Sequence, residues 1–235
     1  MGAAEAGSLM LFDLPAANPA HPAKYTDALL LTMAQMLKGR RRILDPFGGT
    51  GKVFLLEAWL PDAQIEAVEI EPEFASIQPR VTHGNALYLP WGDGYFDAVC
   101  TSPTYGNRMA DHDAGTIAAG SSRRMTYASH LSRKLHPDNS GAMQWGDKYR
   151  DFHIKAWTEA RRVLQPGGAF VLNIKDHIRG GEVQPVTQWH VDTLQALGFR
   201  MVRHERINTP SMRYGRNGDK RVEYESVILF ILGDA

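Results

Sequence analysis

The sequence predicts an α/β domain in which a mostly parallel, doubly wound sheet carries helices on both faces. Two observations support this fold class. Short apolar runs alternate with helical segments along the chain, and the runs are continuously apolar, as expected for strands buried on both faces. A glycine-rich turn also follows the first run and precedes a helix. In such sheets the ligand binds at the carboxyl ends of the central strands, where we expect the functional site.

Each element is predicted from its apolar pattern and its flanking residues. The predicted strands are Arg42–Asp45, Ile65–Glu69, the weaker Arg80–His83, Phe96–Thr101, Ala169–Ile174, Arg200–Arg203 and Ser226–Ile231. The predicted helices are Thr26–Lys38, Lys52–Leu60, a short turn after Pro72, Tyr149–Leu164 and Val186–Leu197. We expect one domain over residues 1–235, with a loose N-terminus over about 1–18. An aperiodic insertion over about 106–150 is predicted to serve as a substrate-recognition flap.

Composition excludes several classes of protein. The 235 residues are 43% hydrophobic and 22% charged, which excludes a disordered chain. The single cysteine, Cys100, excludes a disulfide scaffold and a cysteine zinc site. No apolar run is long enough to span a bilayer, and residues 1–14 lack the basic start of a signal peptide. We therefore expect a soluble cytoplasmic protein without a membrane partner.

The glycine-rich turn, Asp45-Pro-Phe-Gly-Gly-Thr-Gly51, favours one of three ligand classes. A P-loop is excluded because Pro46 and Val53 replace its first glycine and its Ser/Thr. The dinucleotide fingerprint is weak because Phe54 stands in its third glycine position. An acidic residue followed by Gly49-Thr50-Gly51 fits an S-adenosylmethionine site better, with Asp45 facing the cationic amino-acid end of the cofactor.

The next strands carry residues that suit the remainder of this cofactor. Glu69 ends the second strand about twenty residues on, where a carboxylate accepts hydrogen bonds from ribose hydroxyls. Ile70 can lie against the adenine ring, and Asn85-Ala86 offers an amide for its edge. The alternative is that Asp45 and Glu69 only cap strand ends.

The segment after the fourth strand, Thr101-Ser-Pro-Thr-Tyr105, resembles the (S/N/D)-P-P-(Y/F/W) signature of methyltransferases that act on the amino groups of bases. The turn resembles the D-P-F-x-G-[ST]-G form of that family, which adds Phe47 and Gly48 to the cofactor site. His21-Pro-Ala-Lys-Tyr-Thr26 is similar to its N-terminal cofactor segment, which adds Lys24, Tyr25 and Thr26. Arg162–Asn173 matches the lead into its fifth strand. The resemblance implies a seven-stranded, Rossmann-like methyltransferase fold.

The resemblance also implies the catalytic residues. An aromatic amino group is a poor nucleophile because its lone pair is delocalised, and two acceptors that bind its hydrogens restore that lone pair. Ser102 Oγ and the carbonyl of Pro103 are the candidate acceptors, and Ser102 also borders the cofactor. Tyr105 would stack on the extruded base. Thr104 departs from the family by replacing the second proline, which would loosen the turn or add a hydroxyl near the target.

Two arginine-rich segments are candidates for polynucleotide binding. They lie in the insertion and near the C-terminus, and their candidate substrate residues are Arg108, Arg123, Arg124, Trp145 and Arg213. The alternative is solvated surface charge. The histidines lack a metal-ligand spacing, so no metal is expected.

These observations predict a DNA methyltransferase that uses S-adenosylmethionine and acts on N4 of cytosine, as in restriction-modification systems. The alternatives are adenine N6 in DNA, an amino group of an RNA base (guanine N2 or adenine N6), and an inactive cofactor-binding module. No separate recognition domain is visible in the sequence. The target is then short or loosely defined, or a homodimer shares the recognition.

Overall fold

A seven-stranded sheet forms the centre of the protein in a computed structural model that describes residues 26–106, 131, 133–209 and 221–233. The strands are β1 (Arg42–Asp45), β2 (Gln64–Glu69), β3 (Val81–His83), β4 (Phe96–Thr101), β5 (Leu164–Ile174), β6 (His177–Arg179), β7 (Glu182–Gln184), β8 (Phe199–Asn208) and β9 (Tyr224–Leu232). The order in the large sheet is β3-β2-β1-β4-β5-β9-β8, and β6 and β7 form a separate hairpin.

Most neighbours in this sheet are parallel. Strand β1 pairs in parallel with β2 and β4, β2 with β3, and β4 with β5. Only β9 runs antiparallel, between β5 and β8. The structure therefore confirms the predicted doubly wound, mostly parallel sheet. It also places the carboxyl ends of β1, β2, β4 and β5 at one edge, beside the start of β9.

The helices lie in the connections between strands. They are α1 (Asp27–Met36), α2 (Pro72–Ala75), α3 (Asp147–Val163) and α4 (Val186–Ala196), with 3-10 helices at Lys52–Ala58 and Ser140–Ala142. The helix predicted over Lys52–Leu60 is a 3-10 helix at Lys52–Ala58, and apolar spacing over about two turns does not distinguish the α and 3-10 forms. No helix in the described ranges combines the length and hydrophobicity needed to cross a membrane.

Apolar side chains cover both faces of the sheet. On one face, Leu44, Val99 and Phe170 pack with Trp157 of α3. On the other, the alternate strand residues pack with α1; examples are Ile43, Ala98 and Val171. Cys100 is buried in this second cluster, as a packed strand residue.

The irregular insertion is shorter than its predicted span of 106–150, because α3 begins at Asp147. Its described part, residues 133–146, contains a turn and the short helix Ser140–Ala142. The predicted loose N-terminus and residues 107–130 lie outside the described residues.

Candidate functional site

The glycine-rich turn follows β1 at Asp45, a residue that is 2% exposed. Its Oδ1 atom accepts hydrogen bonds from the backbone N–H of Phe47 (3.0 Å) and from the hydroxyl of Thr101 (2.7 Å). Burial raises the pKa of Asp45 to about 6, although both hydrogen bonds oppose that shift. These hydrogen bonds hold the glycine turn against the end of β4. Asp45 therefore has the strand-capping role that the sequence analysis gave as the alternative to cofactor binding.

The glycines in this turn are required by its backbone and by its close packing on β2. Gly49 and Gly51 adopt the left-handed region, with φ of 54° and 79°. A Cβ atom on Gly48 would lie 2.7 Å from the Cβ of Ala67, which is too close for two carbon atoms. The N–H of Gly48 also donates to the carbonyl of Val68 at 2.8 Å.

Glu69 ends β2 beside this turn, at the position predicted from the spacing. Its Oε2 accepts from the N–H of Gly49 at 3.0 Å, and its Oε1 accepts from the N–H of Glu71 at 2.9 Å. Burial raises the pKa of Glu69 to about 7. The structure thus brings two carboxylates, the buried Asp45 and the half-buried Glu69, to the ends of adjacent strands around one glycine turn.

The residues predicted for the adenine end follow β2 and β3. Asn85 donates from Nδ2 to the carboxylate of Asp138 at 3.0 Å, and its Oδ1 accepts from the N–H of Leu87. Ala86 is buried, and the carbonyl of Ile70 lies 3.2 Å from Nε2 of His83. Sequence reasoning missed Asp138, because 53 residues separate it from Asn85.

Glu71 is a second buried acidic residue that the sequence analysis did not assign. Its carboxylate forms an ion pair with Arg133 at 2.7 Å and accepts hydrogen bonds from the N–H of His136 and from Asn139 Nδ2. Arg133 also pairs with Glu73. These contacts hold residues 133–139 over the carboxyl end of β2. The signal in the sequence was the repeated acid in Glu69-Ile-Glu71.

The Ser-Pro-Thr-Tyr segment lies at the end of β4 within a polar cluster. Ser102 Oγ accepts from Asn173 Nδ2 at 3.1 Å. Asn173, at the end of β5, also donates to the carboxylate of Glu225 at 2.8 Å. The hydroxyl of Tyr105 donates to the same carboxylate oxygen at 3.2 Å. Sequence reasoning missed Glu225 and gave no role to Asn173. Pro103, the other predicted catalytic residue, is buried between Ser102 and Thr104.

Thr104, which replaces the second proline of the resembled signature, is held by hydrogen bonds. Its hydroxyl donates to Ser140 Oγ at 2.8 Å, and its carbonyl accepts from the hydroxyl of Tyr149 at 2.7 Å. Two residues later, the carbonyl of Gly106 accepts a hydrogen bond from the N–H of Trp145 at 2.8 Å. These contacts supply the restraint that a proline ring would otherwise give.

A buried network of hydrogen bonds between aromatic side chains ends at the carbonyl of Thr104. Trp157 can only donate, and its Nε1 lies 3.0 Å from Nδ1 of His190, so Nδ1 is the acceptor. Nε2 of His190 then carries the hydrogen and donates to Tyr149, 3.0 Å away. Burial lowers the pKa of His190, so the ring is neutral. The hydroxyl of Tyr149 is left to donate to Thr104.

The structure gives the local environment of three further residues that were predicted to bind the cofactor. Thr26 caps α1, because its hydroxyl accepts from the N–H of Leu29. Phe47 directs its ring onto α3, against Phe152 and Trp157. The hydroxyl of Thr50 is buried without a partner among the described residues. The predicted residues Lys24, Tyr25, Arg108, Arg123, Arg124 and Arg213 lie outside the described residues.

Trp145 is buried and does not present an exposed ring to a substrate. It is 8% exposed and packs against Tyr149 and Trp189, with the guanidinium of Arg150 over its ring at 4.6 Å. Its position in an aperiodic, arginine-containing segment suggested a surface aromatic residue. The burial arises because α3 begins immediately afterwards and draws the ring into the core.

Among the described residues, no group of three or more His, Cys, Asp or Glu side chains is arranged to hold a metal ion.

No family model matches this sequence, and no curated protein matches it by sequence. Many solved structures share its fold. A SAM-dependent methyltransferase from Methanosarcina mazei is 14% identical with a TM-score of 0.55, covering 87% of this chain and 98% of that one. The [4+2]-cyclase SpnF is 16% identical with a TM-score of 0.53, covering 89% and 82%. TrmN from Thermus thermophilus is 14% identical with a TM-score of 0.51, covering 87% and 48%. The protein thus has the Rossmann-like fold of class I methyltransferases.

Proposed function

We propose that this protein is an S-adenosylmethionine-dependent methyltransferase that acts on the exocyclic amino group of a nucleic-acid base, with N4 of cytosine in DNA as its target. One observation carries the proposal. Ser102 and Tyr105 lie at the carboxyl end of β4, and the adjacent β1 ends in the glycine turn with its buried carboxylate Asp45. The segment proposed to bind the target and the turn proposed to bind the cofactor therefore share one edge of the sheet.

The cofactor half of the site fits S-adenosylmethionine in the chemistry of its residues. The turn provides left-handed glycines at 49 and 51, which allow a ligand to approach the backbone closely. Glu69 would accept from the ribose hydroxyls, and Asp45 offers a negative charge to the cationic end. Burial raises the pKa of both groups, so each carboxylate, once ionised, gains from hydrogen bonds that replace its lost hydration.

The target half supplies acceptors and an aromatic ring. When bound, S-adenosylmethionine supplies an electrophilic methyl group on its sulfonium sulfur. Ser102 Oγ and the carbonyl of Pro103 would accept hydrogen bonds from the amino hydrogens and localise the nitrogen lone pair. The chemistry supplied there would be transfer of the methyl group to the amino nitrogen: sulfur would keep the electron pair of the broken carbon–sulfur bond, and the nitrogen would give its surplus proton to solvent water. Tyr105 would hold the base for this in-line displacement.

Alternatives differ in substrate or in the presence of activity. Adenine N6 and amino groups of RNA bases present the same chemical group to the same acceptors. The cyclase SpnF shares the fold, so the fold alone does not determine the reaction. The alternative of an inactive module was based on the loss of the second proline of the signature. Hydrogen bonds with Ser140 and Tyr149 restrain Thr104 at that position, which argues against this alternative.

The test is a reaction of the purified protein with isotopically labelled S-adenosylmethionine and either unmodified DNA or unmodified RNA, followed by nucleoside mass spectrometry. We expect labelled N4-methylcytosine in DNA. N6-methyladenine, or a methylated nucleoside in RNA only, would replace the substrate and keep the chemistry. Tyr105→Ala should bind the cofactor with unchanged affinity and give no product. A protein that binds the cofactor but labels neither polymer contradicts the proposal.

A further inference from the structure

The carboxylate of Glu225 is the end point of the hydrogen bonds around Ser102. Glu225 lies near the start of β9, where the antiparallel ladder brings Ser226 opposite Ile174 and Val227 opposite Asn173. Its Oε2 atom lies 2.8 Å from Asn173 Nδ2 and 3.2 Å from the hydroxyl of Tyr105. Both of these groups also contact Ser102 Oγ, at 3.1 Å and 3.4 Å.

A carboxylate only accepts hydrogen bonds, so Glu225 fixes the direction of its neighbours. The amide of Asn173 must turn its nitrogen toward Glu225, and its second hydrogen then points to Ser102. Tyr105 has one hydroxyl hydrogen, which it donates to Glu225. In the longer contact between Ser102 and Tyr105, the hydrogen must therefore come from Ser102.

Among the described residues, this arrangement leaves one lone pair of Ser102 Oγ without a partner. Its own hydrogen is directed to Tyr105, and one lone pair accepts from Asn173. The remaining lone pair can accept a hydrogen bond from the amino group of the target. If the directions were reversed, Ser102 would present a hydrogen instead, which an amino hydrogen repels.

We propose that Glu225 is a positioning residue that keeps Ser102 an acceptor toward the amino group of the target base, an inference that rests on the proposed function. Lys175 lies within electrostatic range of Glu225. An acceptor at Ser102 favours substrates that donate from nitrogen, such as an exocyclic amino group, over groups that only accept.

The first test compares Glu225→Gln with Glu205→Gln. A glutamine at 225 keeps the size of the side chain but can donate to Tyr105, which permits the reversed direction. Glu205, on the neighbouring β8, pairs with Arg203 at the surface and undergoes the same chemical change. For Glu225→Gln we expect kcat to fall about 10- to 100-fold, the loss associated with one hydrogen bond involving a charged group. The Kd for S-adenosylmethionine and the KM for the polynucleotide should not change, and Glu225→Asp should restore part of kcat.

The second test asks whether Glu225 acts through Ser102. In a Ser102→Ala background the acceptor is already absent, so adding Glu225→Gln should change kcat by less than about twofold. A purely structural role of Glu225 would lower kcat by the same factor in both backgrounds. Effects that multiply in the double variant overturn the inference, as does a wild-type kcat in Glu225→Gln.

A third variant keeps the inference testable if Glu225→Gln does not fold. Tyr105→Phe retains the ring and removes the hydroxyl that links Ser102 to Glu225. We expect a similar fall in kcat and the same lack of additivity with Ser102→Ala, and a wild-type kcat in Tyr105→Phe overturns the inference. A wild-type protein that binds the cofactor but methylates no polynucleotide overturns the proposed function and the inference with it. Normal kcat in Glu225→Gln alongside an active wild type overturns the inference alone.

Discussion

The carboxylate of Glu69, at the end of β2, accepts a hydrogen bond from the backbone N–H of Gly49, 3.0 Å away in the turn after β1. The two residues are 20 positions apart in the chain. The contact holds the glycine turn against the neighbouring strand while the other carboxylate oxygen binds the N–H of Glu71. Glu69 therefore shapes the site and is also the residue proposed to bind the cofactor ribose.

Replacement of Glu69 tests that second role. Glu69→Ala removes the acceptor for two ribose hydroxyls, and hydrogen bonds to a charged group contribute about 1.5–3 kcal/mol. We expect the affinity for S-adenosylmethionine, measured by isothermal titration calorimetry, to fall at least about tenfold. Glu66→Ala, on the same strand, is the control and should bind normally. Unchanged affinity in Glu69→Ala would remove Glu69 from the cofactor site.

The raised pKa of Glu69 predicts opposite pH dependences for stability and for cofactor binding. Burial raises its pKa from 4.5 to about 7, so in that window the folded state holds a proton that the unfolded state has lost. The free energy of unfolding of the free protein should therefore decrease as pH rises from about 5 to about 7. Cofactor affinity should increase as pH rises through about 7, because the ionised carboxylate is the better acceptor.

Both quantities can be measured on one preparation, by denaturant unfolding and by calorimetry across this pH range. Asp45, whose pKa burial raises to about 6, contributes to stability with the same sign. Glu69→Gln does not titrate, so it should flatten the rise in cofactor affinity and retain only part of the change in stability. A cofactor affinity that falls with rising pH would contradict the assignment.

Gly51→Ala tests the geometry of the turn against a matched glycine. Gly51 has a φ of 79°, and an added Cβ would lie 2.7 Å from Cγ of Gln78. Gly39 has a φ of 83° with no atom within 4 Å of an added Cβ, so Gly39→Ala measures the backbone cost alone. We expect Gly39→Ala to destabilise the protein by about 1–2 kcal/mol and Gly51→Ala by more. Equal values in denaturant unfolding would show that the turn yields to the added methyl group.

The sequence was sufficient for the features that depend on local pattern. Strands β1 and β4 have the predicted bounds, because each is an apolar run that ends at a polar residue. Glu69 was located by its spacing from the glycine turn. The hairpin of β6 and β7 was missed, because three-residue strands carry almost no periodic signal.

Contacts between distant parts of the chain could not be predicted from one sequence. Glu225 lies 120 positions from Tyr105, and its place beside Ser102 depends on the antiparallel insertion of β9 next to β5. A sequence pattern identifies an apolar strand here but not its neighbours in the sheet. The burial of Trp145 was missed for a similar reason, since the residues that cover it come from α3 and α4.

The buried hydrogen-bond network that ends at the carbonyl of Thr104 gives a further prediction. Tyr149→Phe leaves the carbonyl of Thr104 and the Nε2–H of His190 without their partner, which should destabilise the protein by about 1–3 kcal/mol. We also expect a lower kcat with unchanged cofactor affinity, since the segment that carries Ser102 loses a restraint. Tyr88→Phe is the control, because Tyr88 is 77% exposed. Normal stability in Tyr149→Phe would show that water replaces the lost hydroxyl.

The salt dependence of DNA binding tests whether the substrate is a polynucleotide. Arg123 and Arg124 lie outside the described residues and are predicted to contact phosphates from their place in the arginine-rich insertion. Each phosphate contact contributes about 0.9 to the log–log slope of binding against salt on duplex DNA. Replacing both residues by Ala should weaken binding and reduce the slope by up to about 1.8.

The control for this pair is Arg80→Ala. Arg80 forms an ion pair with Glu57 at 2.6 Å and belongs to the cofactor half of the domain, so its loss should leave the slope unchanged. Cofactor affinity should be normal in both proteins. If the double arginine variant kept the wild-type slope and full activity, these residues would be ordinary surface charges. Phosphate contacts would then have to come from other residues, with the arginines near the C-terminus, such as Arg203 and Arg206, as the next to replace.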